Sequence, residues 1–219
     1  MLSACCLRAG RHIDHEWVYA HQPLVRPSTR QADWDWGILM PSAQLLTRRD
    51  EHRLFFEARP CHHEHRYSPE CANKSTIGTA HWDRDRIVAL RAAHADRPGY
   101  LITKAFLPAS GGHVRLTLNT SSCGSSIAVE LLSAHDGSSV PGRSLDEAIP
   151  TAGVSGVATA RWASGTRLIL PGSGSADQAK IQLRFRLTGG AQLFAFRLRL
   201  SPESRARTRT SEPAQLQVK

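Results

Sequence analysis

Trp34-Asp35-Trp36 sets one carboxylate between two indoles. Indole faces are broad, stiff and apolar, and sugar rings stack on such surfaces. Asp35 in that setting either faces a pocket or caps the amides of a turn, and Asp33 reads as a turn residue. Further along, His62, His63, Glu64 and His65 form the densest run of polar chemistry in the chain. An imidazole at a pocket rim hydrogen-bonds hydroxyl groups in either direction. Two of these histidines with Cys61 or Cys71 are the alternative, a metal site. Their spacing fits no standard zinc pattern, because neighbours on an extended backbone point apart. A solvated loop is the third reading. Neither a metal nor a cofactor is therefore expected. Glu57 closes an apolar run and either projects into a pocket or marks the solvent boundary. Cys123 lies among Ser and Gly with no His or Asp nearby in sequence, so a thiol nucleophile has little support. No phosphate-binding loop, dinucleotide fingerprint or nucleophile elbow occurs.

The charge points away from one whole class of partner. The formal net charge is +9 in 219 residues, but the arginines are scattered and no Lys/Arg block stands out. That reads as an arginine-rich solvated surface, and no nucleic-acid partner is expected. The five cysteines are odd in number and show no C-x-x-C spacing. Free thiols in a reducing compartment, and hence a cytoplasmic location, are the expectation. A Cys61 to Cys71 bridge is the alternative for a secreted chain. Residues Met1 to Gly10 lack the charged start and long apolar stretch of a signal peptide. No apolar run reaches transmembrane length, so no membrane partner is expected either.

The elements that must carry these residues are strands. Ile38-Leu39-Met40, Leu54-Phe55-Phe56, Ile77 to Trp82 and Ile87 to Leu90 are short apolar runs, linked by the charged turns Arg48 to Glu51 and Asp83 to Arg86. Consecutive hairpins of this kind make a propeller blade or a small meander. Leu54-Phe55-Phe56 is apolar on both faces and predicts a strand covered on both sides. After Pro98-Gly99, strands are predicted at Tyr100 to Phe106, His113 to Asn119, Ile127 to Leu132, Thr159 to Trp162, Ile181 to Leu187 and Leu193 to Leu200, the pattern of an all-β sandwich. Alternation turns Val114, Leu116 and Leu118 inward, with Ile181, Leu183, Phe185 and Leu187, and Phe194, Phe196, Leu198 and Leu200. The last two strands are expected to pair through Gly189-Gly190, with Arg184, Arg186, Arg197 and Arg199 sharing one outer face that either is simply polar or holds an anion. The domain reading is an irregular segment over 1–20, a partial propeller over 21–97, a sandwich over 98–200 and a disordered tail over 201–219.

Several strings resemble the last blade and C-terminal sandwich of five-bladed β-propeller glycoside hydrolases: Trp34 to Met40, Leu54 to Phe56, Ile77 to Ala80, Val140 to Glu147, Arg161-Trp162, Ile181 to Leu187 and Leu193 to Arg197. The sequence departs from that family at Glu57-Ala58, where a glycine pair is usual, and at Trp36, where a small polar residue is usual. The resemblance implies an all-β fold, a partial β-propeller followed by an antiparallel β-sandwich, and a carbohydrate partner. It also implies that Asp35 is a catalytic carboxylate, with Trp34, Trp36, Glu57, His62, His63 and His65 binding substrate. Glycosidic hydrolysis takes two carboxylates on opposite sides of the scissile bond. Hydrolysis is thus expected only if the missing blades supply the second, and a partner chain would cover the open sheet edges of an isolated blade. The alternative is a non-catalytic carbohydrate-binding or scaffold module.

Overall fold

The computed structural model describes residues 23–65, 68–69, 71, 74–107, 113–169 and 180–200. The segment over 1–20 (with Cys5 and Cys6), the tail over 201–219 and Leu200's side chain lie outside what is described. The fold is all-β with antiparallel sheets. Among the described residues the one helical element is a 3-10 turn, His63–His65. No helix there is long and apolar enough to cross a membrane. The chain divides into two compact units between Val88 and Ala89.

The first unit is a three-stranded meander in the order β1 (Ile38–Thr47), β2 (Glu51–Arg59), β3 (Thr76–Asp83). On β2 the even positions His52, Phe56 and Ala58 are buried, and Leu39, Phe56 and Ala58 form a small core with Val25 and Ala80 against it. The odd positions lie on the other face, where Phe55 is 36% exposed and its neighbour across the sheet, Ile77 (opposite Glu57), is 77% exposed. This strand is central, but it is covered on one face only, contrary to the sequence expectation. A three-residue run such as Leu54-Phe55-Phe56 is too short to show whether its odd position has a cover. β1 bulges between Pro41 and Leu45. Proline has no N–H for a ladder, and the edge of a sheet is where that is tolerated.

His52 closes the end of this sheet. The amide of Asp85 donates to His52 Nε2 at 2.9 Å, and Nδ1 lies 2.9 Å from the Thr47 hydroxyl. Nε2 also lies 3.6 Å from the Asp85 carboxylate, so the ring ties the β1–β2 turn to the turn after β3. The same contact holds Asp85 at φ +60°.

The second unit contains two larger sheets. One runs β10 (Ser155–Thr159), β6 (His113–Ser121), β14 (Gln192–Leu200), β4 (Leu90–Arg91), with β12 (Arg167–Ile169) also on β6. The other runs β5 (Gly99–Ile102), β13 (Ile181–Thr188), β7 (Ser126–Ser133), β9 (Thr151–Ala152). A short ribbon pairs β8 (Ala148–Ile149) with β11 (Arg161–Trp162). Both larger sheets feed one core: Val114, Leu116 and Leu118 from the first, Ile127, Val129, Leu131, Ile181, Leu183, Phe185 and Leu187 from the second. The alternation read from the sequence sets these faces.

Three strand expectations are corrected. Ile87 to Leu90 is not a fourth strand of the meander; only Leu90 and Arg91 pair, and they pair with β14 in the second unit. β13 and β14 do not pair through Gly189-Gly190. The turn carries the chain from one sheet to the other, so Arg184 and Arg186 stand on a different sheet from Arg197 and Arg199, and the shared arginine face does not exist. Arg184 instead forms an ion pair with Glu130, which is 2% exposed and accepts the Ser139 hydroxyl as well. β14 also bulges between Leu193 and Ala195, which seats Leu193 rather than Phe194 in the core; beyond the bulge Phe196 packs against Phe185 at 5.2 Å and Leu198 against the cluster.

The string Val140 to Glu147 and the pair Arg161-Trp162 meet. The Trp162 indole is 1% exposed and donates from Nε1 to the Val129 carbonyl at 2.9 Å. The Arg143 guanidinium lies 5.3 Å from the centre of that ring and donates to the Ser164 hydroxyl and the Arg167 carbonyl. Burial pulls the Arg143 pKa below the usual guanidinium value, with Glu147 opposing. Glu147 closes a turn onto Ser144, whose amide and hydroxyl both donate to Oε2. The residues that carry the family resemblance here are thus bound into the scaffold. Replacing the wholly buried Leu183 by Ala is expected to cost about 3 kcal/mol, lost transfer energy plus a cavity, measured by urea unfolding.

Candidate binding site

A polar cleft of about 510 Å³ opens on the first unit, lined by Gln31, Ala32, Trp34, Pro60, Lys74 and Thr76. Its apolar surface is Trp34, 43% exposed. The indole stacks on Phe56 at 6.1 Å between centroids and 13° between planes. Gly78 lies beneath both: a Cβ there would come within 2.6 Å of the Trp34 and Phe56 rings. Glycine at this point of β3 leaves room for the edges of both rings.

The turn that presents Trp34 is closed by its own backbone. Asp33 N–H donates to the Arg30 carbonyl at 3.0 Å, Trp36 N–H to the Asp33 carbonyl at 3.2 Å, and Ser28 N–H to the Asp35 carbonyl at 3.3 Å. The Ser28 hydroxyl donates to the Asp33 carboxylate. Asp33 is therefore the residue that ties the turn. Asp35 is half-buried, enters this network through its carbonyl, and is not among the cleft-lining residues. Gly37 follows, its N–H donating to Arg59 O at 3.1 Å, so close to Cys61 that a Cβ would fall 1.9 Å from the Cys61 carbonyl oxygen.

Pro60, Lys74 and Thr76 line the rest of the cleft. Between them, among the described residues, the amides of His65, Ser68, Cys71 and Lys74 donate to the carbonyls of His62, His65, Ser68 and Cys71. Cys61 and Cys71 are joined as a disulfide across this loop, and Cys71 is 1% exposed. This corrects the expectation of free thiols at these positions and removes both sulfurs from any metal site. Among the described residues Cys123 is the free cysteine, and no group of three His, Cys, Asp or Glu is placed to hold a metal ion.

The remaining residues singled out from the sequence are spread around this frame. Trp36 meets His62 edge-on at 4.7 Å, while His62, His63 and His65 are exposed on the loop. Glu57 lies on the face of β2 opposite Phe56. There it accepts the Ser75 hydroxyl at 2.6 Å and the Arg59 guanidinium at 2.7 Å, and these two partners, Ser75 first, hold its pKa below the ordinary 4.5. The structure brings Trp34 together with Gln31, Lys74 and Thr76, three polar residues the sequence reading did not select. Lys74 follows the second cysteine of the loop by three residues, and only the pairing of those cysteines reveals that it borders Pro60.

No protein-family model, no curated protein and no solved structure matches the chain.

Two outcomes follow from this geometry. Cys71→Ser removes the constraint on the loop and lowers the stability of the first unit by about 2–3 kcal/mol, read by chemical unfolding with and without a dithiol reductant; only the parent chain responds to the reductant. For Glu57, a depressed folded-state pKa means that its contribution is present above the unfolded carboxylate value and is lost as pH falls through the folded one. Thermal melts from about pH 7 down to about pH 3 will show that acid-labile step in the parent, and Glu57→Gln will reduce it, leaving the part that Asp136 and Glu147, also lowered, contribute.

Proposed function

We propose that this protein is a non-catalytic carbohydrate-binding module. The observation that carries the reading is the cleft itself: a half-exposed indole stacked on Phe56 over Gly78, lined with Gln31, Lys74 and Thr76, and with no acidic residue among the described residues of its lining. A stacking platform with a few convergent polar groups suits a pyranose ring and its hydroxyls. The resemblance to propeller glycosidases supports the same ligand class. In that reading the first unit corresponds to a blade and the second to the sandwich.

Hydrolysis fits less well. A glycosidase sets two carboxylates about 5 Å apart for retention or about 6.5–9.5 Å apart for inversion, one of them protonated as the general acid. Glu57 is on the wrong face and its partners hold it ionised, the opposite of what a general acid needs. The Cys61–Cys71 disulfide favours an oxidising compartment.

The test is a glycan array probed with the full chain, followed by titration calorimetry on the hits and an assay for released reducing ends. Binding without hydrolysis is the expected result. Trp34→Ala should weaken it by roughly tenfold or more. Because Trp34 also packs on Phe56, Gln31→Ala on the rim serves as a second variant, with circular dichroism checking the fold of both. An array on which no saccharide binds overturns the reading.

A further inference from the structure

We infer that the cleft selects an anionic saccharide, one whose ring carries a carboxylate or a sulfate. This rests on the carbohydrate reading and adds the class of ligand. Among the described residues of the lining Lys74 is the charged one, and it is solvent-exposed. Among the described residues its ammonium group has no carboxylate partner. The carboxylate that strand pairing brings closest in sequence register, Glu57 opposite Ile77, lies on the other face of the sheet and is already matched by Arg59. Gln31 and Thr76 are neutral. Among the described residues the cleft therefore presents a positive charge beside an apolar ring, with no carboxylate in the lining to match it.

A pyranose stacked on Trp34 directs its substituents sideways, toward the polar rim. A neutral hydroxyl there would hydrogen-bond the ammonium and leave its charge uncompensated. A carboxylate or sulfate would offer a charge-assisted bond, shorter and about twice as strong as a neutral one. Lys74 is placed by the loop's turns, its amide bonded to the Cys71 carbonyl at 3.1 Å next to the disulfide. Its Cα is thus fixed while the side chain keeps its reach, which suits a point contact to an anion. The net charge of +9 favours the approach of anions in the same direction.

The experiment compares three matched oligosaccharide sets of equal length on the full chain: neutral hexoses, uronic acids, and sulfated hexoses. A single-stranded DNA of similar charge is the control. Titrations are run with the parent, Lys74→Gln and Lys74→Arg. The expected result is that at least one acidic set binds about threefold to tenfold tighter than the neutral set, the range of a partly exposed charge pair. Lys74→Gln should abolish that preference, bringing the acidic sets to the affinity of the neutral set on the same variant, Lys74→Arg should retain it, and added salt should weaken acidic binding more than neutral binding. The uronic and sulfated arms tell the two anion sources apart. Equal affinity for neutral and acidic sets, or a preference that survives Lys74→Gln, overturns this inference and leaves the carbohydrate reading standing. DNA binding that matches the acidic sugars and is equally lost in Lys74→Gln also overturns it, because charge alone is then being read. Failure of all three sets overturns both.

Discussion

The cleft in the first unit depends on two stacked aromatic rings whose edges meet over a glycine. Phe56 fills the small core of the meander, and Trp34 covers it only because Gly78 has no Cβ to lift the rings away. A three-stranded sheet has little apolar area to bury, so a single indole is a large share of its cover. Trp34 therefore does two things at once: one face closes the core, and the rest stays open to solvent. A half-exposed tryptophan held this rigidly loses little freedom when a ligand arrives, and preorganisation of that kind is what makes a shallow cleft a plausible binding surface.

The second unit is stabilised differently, by a core in which both sheets share the load. There the strict alternation in Ile181 to Leu187 and Val114 to Leu118 was legible, because a strand with one buried face must place apolar residues at every second position. Connectivity was less legible. Gly189-Gly190 looks like a hairpin turn, and in a single sheet it would be one; in a protein with two facing sheets the same turn also serves to cross between them. Nothing in a local pattern distinguishes the two, since the choice depends on which partners, β7 or β6, lie beside each strand. The bulge that exchanges Phe194 for Leu193 is hidden for the same reason: period-two reading assumes an unbroken ladder.

The site was legible in its aromatic part only. Trp34 drew attention as an indole beside a carboxylate, and it does line the cleft. Asp35, one residue on, turns into the backbone network instead, because the turn takes its carbonyl for the Ser28 amide. The polar rim arises from long-range pairing: Lys74 and Pro60 become neighbours through the Cys61–Cys71 bridge, and Thr76 through its place on β3 opposite Ala58. Cysteine count argued against a disulfide framework and left a Cys61 to Cys71 bridge as the alternative for a secreted chain. Parity over a whole chain says nothing about one particular pair, and the ten-residue separation of these two is compatible with closure once the loop turns back on itself.

These same contacts separate binding from hydrolysis in physical terms. A general acid must hold its proton near neutral pH, which takes burial or a neighbouring negative charge. Around Glu57 the sequence supplies the reverse, a hydroxyl donor and a guanidinium, on the exposed face of the sheet. Around Trp34 it supplies a cation and two neutral polar groups. An oxocarbenium-like transition state carries positive charge, and a lone ammonium beside the ring would oppose it, whereas the same ammonium stabilises a bound anion. In the proposed reading, the charge that would let Lys74 recognise an anion is thus the charge that would oppose cleavage in the same cleft.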